Sequence, residues 1–128
     1  MSRKQRAEEQ LPPMELAIMH VLWDSGPCTV QEVQEQLGGK DAYTTVQTIL
    51  NTMESKGRTS RKLIGRAYVY SATLARETAL GSAVRDLVDR TFKGSVEGLL
   101  MNLVQTQQLD GALLRRLEKM VKNKEAKS

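Results

Sequence analysis

Residues 42–71, AYTTVQTILNTMESKGRTSRKLIGRAYVYS, change period halfway along, and that change decides the fold. From Ala42 to Lys56, the residues Val46, Ile49, Leu50 and Met53 recur at helical spacing as one narrow apolar stripe, and Gly57 supplies a stop. Beyond Gly57 the repeat falls toward two, so Arg58 to Leu63 and Arg66 to Ser71 read as two short strands joined by a turn at Ile64-Gly65. A hairpin directly after a helix is the economical interpretation.

The outward face of this helix is unusual. Thr44, Thr45, Gln47, Thr48, Asn51 and Thr52 are uncharged hydrogen-bonding residues, several of them poor helix formers, where a solvated helix normally carries Glu and Lys. Such side chains donate and accept toward base edges, and their lack of negative charge suits a surface that approaches phosphates. The hairpin adds cations. Between Lys56 and Arg76 the chain carries Lys56, Arg58, Arg61, Lys62, Arg66 and Arg76 with no Asp or Glu, a local excess suited to a polyanion. The alternative from charge alone is a solvated basic surface.

Upstream, Met14, Ile18, Met19, Leu22 and Trp23 lie at helical spacing, and Asp24-Ser25-Gly26-Pro27 ends that helix near Ser25. Thr29-Val30-Gln31-Glu32 has the form of a capping box, and Val30, Val33 and Leu37 give a second helix its buried stripe up to Gly38-Gly39. Three helices followed by a basic hairpin make a winged helix-turn-helix, whose third helix enters a major groove while the wing lies on the backbone. The competing arrangement is an α+β domain with a merely solvated hairpin.

From Leu74 onward the chain is helical and more apolar on one face. Leu80, Ala83, Val84, Leu87, Val88 and Phe92 recur at three and four, Lys93-Gly94-Ser95 breaks the run, and Val96, Leu99, Leu100, Leu103 and Val104 resume it. A last helix starts at about Asp110, a good N-cap, and carries Leu113, Leu114, Leu117, Met120 and Val121. Some 55 residues in three helices are too few to stabilise themselves well, so a second copy of the chain is the expected cover, against the alternative of packing on the N-terminal domain. The expected class is mainly α, with a disordered arm at residues 1–10, a winged-helix DNA-binding domain at 11–72 and a helical dimerisation domain at 73–128.

With 128 residues, a net charge of +4 and 40% hydrophobic residues, the chain has room for one modest core and holds no apolar run of membrane-spanning length. The first ten residues have no apolar stretch behind their basic ones, so export is not expected and a cytoplasmic location is. One cysteine, Cys28, and one histidine, His20, leave no disulfide, metal cluster or triad to build, and no cofactor is implied. Cys28 reads as buried filler, the alternative being a redox thiol beside a helix N-terminus. Trp23 and Tyr68 read as packing residues. There is no Gly-rich phosphate loop and no nucleophile with a nearby base, so an enzyme is not expected.

From Leu11 to about Val121 the chain resembles the penicillinase-repressor family of bacterial transcription regulators, which includes BlaI, MecI and CopY. The resemblance rests on Glu15-Leu16-Ala17-Ile18-Met19 leading to Val21-Leu22-Trp23, on Thr29-Val30, on Ala42-Tyr43-Thr44-Thr45-Val46, and on Gly65-Arg66-Ala67-Tyr68-Val69-Tyr70 in the wing. It implies a homodimeric repressor on a dyad-symmetric double-stranded DNA operator, displaced by a signal, with a link to antibiotic resistance in one branch. By the same resemblance the DNA face falls on Tyr43, Thr44, Thr45, Gln47, Thr48 and Asn51, with Arg66 near phosphates; the basic residues Lys56, Arg61 and Lys62 join that set. Dimer contacts are expected from Leu80, Val84, Leu87, Val88, Phe92, Val96, Leu99, Leu100, Leu103, Val104 and Leu117.

Departures from the family pattern carry expectations too. Arg58 and Thr59 replace two apolar residues that usually open the wing, which implies a looser wing or an extra phosphate contact. Pro12 stands where a Ser or Thr cap is usual. The tail from Lys122 to Ser128 has no cysteine, so the copper site of one branch is not expected. In the β-lactam-responsive branch a regulatory protease cuts an Asn-Phe bond, and Asn102-Leu103 occupies the similar place here. The remaining alternatives are a winged helix that binds protein, or a sequence-blind DNA-binding protein.

Overall fold

The computed structural model describes residues 11–127, so the arm expected at residues 1–10 lies outside the described residues. Helix α1 (Pro13–Ser25) opens with Pro13, whose missing N–H costs no ladder bond at that position, and Pro12 precedes it without a side-chain cap. A two-residue strand β1 (Cys28–Thr29) leads into α2 (Val30–Gln36). The capping box forms as expected: the Glu32 amide donates to Thr29 Oγ1 at 3.2 Å, and the Thr29 amide donates to Glu32 Oε1 at 2.9 Å. Helix α3 (Tyr43–Ser55) then runs to Gly57, where the Gly57 and Arg58 amides donate back to Glu54 and Met53, both at 2.9 Å. That Schellman closure needs the left-handed backbone that Gly57 adopts, φ 76°.

The hairpin is β2 (Thr59–Ile64) and β3 (Ala67–Ala72), one residue later than the alternation predicts. Ile64 pairs with Ala67, so the two-residue turn is Gly65-Arg66, with Gly65 at φ 65°, and Arg66 stands at the wing tip and not at a strand start. β1 pairs antiparallel with β3, giving a three-stranded sheet in the order β1-β3-β2. Two residues are too few to show a period, which is why β1 escapes a pattern reading.

The core of this unit is made by Ile18, Met19 and Leu22 from α1, Val30 and Val33 from α2, Val46, Leu50 and Met53 from α3, and Tyr70 from the wing. Tyr70, not Tyr68, is the wing's buried aromatic: Tyr70 is 1% exposed and Tyr68 is 43% exposed. Trp23 packs as expected, its indole N–H donating to the Leu74 carbonyl at 2.8 Å. Cys28 is buried in this core, and burial, then the Glu32 carboxylate, push its thiol above the ordinary pKa. A redox role, which needs a lowered thiol pKa, loses its basis.

Arg58 and Thr59 overturn the expectation of an extra phosphate contact. Both are 2% exposed. Arg58 Nη1 meets Glu15 Oε1 of α1 at 2.6 Å, Lys56 Nζ meets Glu15 Oε2 at 3.2 Å, and Thr59 Oγ1 donates to the Leu50 carbonyl at 3.4 Å. A buried carboxylate is stable only when paired, and here two cations from the α3–β2 junction converge on it.

Helix α4 (Arg76–Arg90) carries the boundary between two compact units, which falls between Val84 and Arg85. In the first unit Ala79 and Ser82 of α4 are buried. The second unit contains α5 (Val96–Gln105) and α6 (Gly111–Ala126), with side-chain caps from Ser95 and, as its residue type predicts, Asp110. Neither α5 nor α6 has a buried residue.

Candidate nucleic-acid interface

Helix α3 is anchored along one side by Val46, Leu50 and Met53, each 0% exposed, which fixes the opposite side outward. Its first turn is chemically bare. Ala42 offers no side-chain cap and no acidic residue lies in that turn, so the leading amides of Tyr43, Thr44 and Thr45 lack intrahelical acceptors. With the positive end of the helix dipole, they form a place where a phosphate oxygen is accepted readily.

Tyr43, Thr44, Thr45 and Thr48 are exposed beside that end, and Gln47 is half-buried. Thr48 and Thr52 donate their hydroxyl protons to the carbonyls four residues back, Thr44 at 2.8 Å and Thr48 at 3.0 Å. Each thereby keeps its acceptor lone pairs, and a methyl group suited to a thymine methyl, for an outside partner. Across a cleft of about 280 Å³ from Tyr43 and Gln47 stand Arg66 and Tyr68 of the wing and Thr29 and Gln31 of the α2 start. Thr29 and Gln31 had no separate signal in the sequence, since the capping box already accounts for that stretch.

The structure brings Tyr43, Thr44, Thr45, Gln47, Thr48 and Arg66 to one end of the unit and disperses the other basic candidates. Lys56 sits at the opposite end of α3, about 20 Å along the helix axis at 1.5 Å per residue, and faces Glu15. Arg61 and Lys62 alternate onto opposite faces of β2; both are exposed, Lys62 across from Val69 and Arg61 on the face turned toward Asn51 and Glu54 of α3. The Arg61 guanidinium lies 4.2 Å above the Tyr68 ring, with its Nε 3.5 Å from Glu54 Oε1 and its Nη1 3.1 Å from Asn51 Oδ1. Hydrogen bonding with Tyr70 is the main influence raising its pKa, so it stays charged. Asn51 is half-buried and its Oδ1 also accepts the Tyr70 hydroxyl at 2.5 Å. Glu54 was not singled out from sequence, because its partner lies across the turn.

In the C-terminal helices, none of the expected dimer-contact residues is buried: Leu80, Val84, Leu87, Val96, Leu100 and Val104 are exposed, and Val88, Phe92, Leu99, Leu103 and Leu117 are half-exposed. Asn102 is exposed in the middle of α5, its carbonyl accepting from the Thr106 amide at 2.9 Å and the Thr106 hydroxyl at 2.8 Å. Among the described residues no helix is long and apolar enough to cross a membrane, and no three His, Cys, Asp or Glu side chains group as metal ligands.

A three-helix unit with a two-stranded wing, a polar third-helix face and helical elements beyond it defines a winged helix-turn-helix regulator. A solved transcriptional regulator from Thermotoga maritima shares the fold, with a TM-score of 0.52 over 91% of this chain and 85% of its own, at 20% identity. The penicillinase repressor family profile matches residues 11–123, and the chain belongs to that family, whose members are transcriptional regulators and not enzymes. Over 110 residues the chain is 24% identical to the penicillinase repressor of Bacillus licheniformis, covering 84% of this chain and 86% of that protein. Over 112 residues it is 33% identical to the transcriptional regulator BlaI of Mycobacterium tuberculosis, covering 84% of this chain and 81% of that one.

Proposed function

We propose that this chain is a homodimeric, sequence-specific transcriptional repressor, with a DNA-binding domain at residues 11–72 and a helical dimerisation domain at 73–128. The observation that carries the DNA reading is the acid-free, uncapped start of α3, with Thr44, Thr45 and Thr48 exposed and Arg66 across the cleft. In the bound state α3 lies in a major groove, its N-terminal side chains on base edges and its free amides toward a phosphate, while Arg66 follows the backbone beside it. The helix-three face argues against a protein-binding role, since protein interfaces favour apolar anchors at their centre.

The dimer reading is supported by the second unit, where Leu100, Val104, Leu114, Leu117 and Val121 line an apolar cleft of about 630 Å³. So few residues cannot bury that surface alone, and a second copy covers it symmetrically. Two recognition helices then meet half-sites about 10 base pairs apart, or a multiple of that, on a dyad-symmetric operator. Release by a regulatory protease at Asn102-Leu103 needs local unwinding of α5, because a protease takes an extended backbone and the Asn102 carbonyl is held twice in the helix.

Substitution separates the two kinds of DNA contact. Thr44→Ala relaxes base preference, costing roughly 1–3 kcal/mol on the operator and little on random duplex. Arg66→Ala weakens both duplexes alike and lowers the salt slope by about one. Fluorescence-anisotropy titrations across salt concentrations read both, and equal losses on the two duplexes for Thr44→Ala would contradict base reading by α3.

A further inference from the structure

The wing has little to hold its angle. A two-stranded ribbon is marginal by itself, and Ser60 to Ile64 of its outer strand are all exposed. Beyond the buried ring of Tyr70, what ties it to α3 is polar. Asn51 Oδ1 accepts from both strands at once, from Arg61 Nη1 of β2 at 3.1 Å and from the Tyr70 hydroxyl of β3 at 2.5 Å. One turn further along the same helix face, Glu54 accepts the Arg61 backbone amide at 3.1 Å and pairs with its side chain, while Tyr68 supplies the ring under the guanidinium.

We propose that Asn51 is a positioning residue, whose side-chain oxygen locks the wing to the recognition helix so that Arg66 is held in register with Thr44, Thr45 and Thr48. This inference rests on the DNA-binding reading above and reassigns two residues within it. A bidentate contact of Asn with adenine needs the same oxygen that the two wing donors occupy, so the lock and base readout by Asn51 exclude each other. Arg61 likewise serves the lock, its fork shared among Asn51, Glu54 and Tyr68, and is not a phosphate contact.

Tyr70→Phe provides the test, because the ring is buried in the core and the change takes away only the hydroxyl, with its bond to Asn51 and its interaction with Arg61, both of which belong to the lock. Tyr70→Phe and Asn51→Ala are each expected to weaken operator binding roughly two- to tenfold. Combined, they lose no more than the larger single loss, and the ranking of mutated operators stays unchanged. In the free protein, hydrogen exchange across residues 59–72 accelerates in both variants while α1 and α2 stay protected. Additive losses, a base preference relaxed at one position by Asn51→Ala, or wing exchange equal to wild type would overturn the lock. Should the wild-type protein show no operator preference, the repressor reading fails on its own, and the exchange measurement still decides the lock.

Discussion

Arg58→Ala is expected to destabilise the protein by about 3–5 kcal/mol, a large part of the stability of a domain this size. The substitution strips the closest cation from Glu15, which is 7% exposed on α1, and leaves its carboxylate with Lys56 alone. An uncompensated buried charge costs more than the intact pair contributes, so the single variant is far worse than a double one. Glu15→Leu with Arg58→Met, which returns the site to apolar residues, is expected to be close to wild type or more stable. Urea denaturation followed by circular dichroism measures all three. A loss below about 1 kcal/mol for Arg58→Ala would mean that the ion pair does not hold α1 to the start of the wing.

Leu100→Asp is expected to abolish dimerisation and, with it, tight operator binding. Leu100 is 44% exposed on α5 within the apolar cleft, so a carboxylate there is tolerated by the free chain and not by an interface that excludes water. A monomer keeps one recognition helix and loses the avidity of two, a reduction of about 100- to 10,000-fold on a two-half-site operator. Sedimentation equilibrium gives the mass and anisotropy the affinity. Circular dichroism like that of wild type confirms that the winged-helix unit is intact. An unchanged dimer mass would refute the placement of the interface on this cleft.

The helices of the first unit were legible because each carries its own apolar spacing and stop, as Val46, Leu50, Met53 and Gly57 do for α3. The wing was legible as a hairpin but not in its register, since moving the turn by one residue leaves a weakly apolar strand such as TSRKLI equally plausible. Tyr68 and Tyr70 share a strand face, and nothing local says where along it the core ends. Arg58 looked like a phosphate ligand because its partner, Glu15, lies 43 residues earlier; a buried ion pair across that separation has no local pattern. The same holds for Asn51, whose polar side chain fits a base-reading face until Tyr70, 19 residues later, is seen to occupy its oxygen. Tyr43, Thr44, Thr45 and Thr48 could be grouped from sequence because all four fall in the first two turns after the expected start of α3, and Arg66 comes near them through the hairpin turn.

The central claim is that α3 reads a DNA sequence. Its most direct test is an anisotropy titration of the purified protein with duplex from its own upstream region against shuffled duplex of equal length, repeated across salt concentrations. The account predicts a preference of about a thousandfold or more for the upstream duplex, with affinity for both falling steeply as salt rises. Weak binding with no difference between the two duplexes would contradict it.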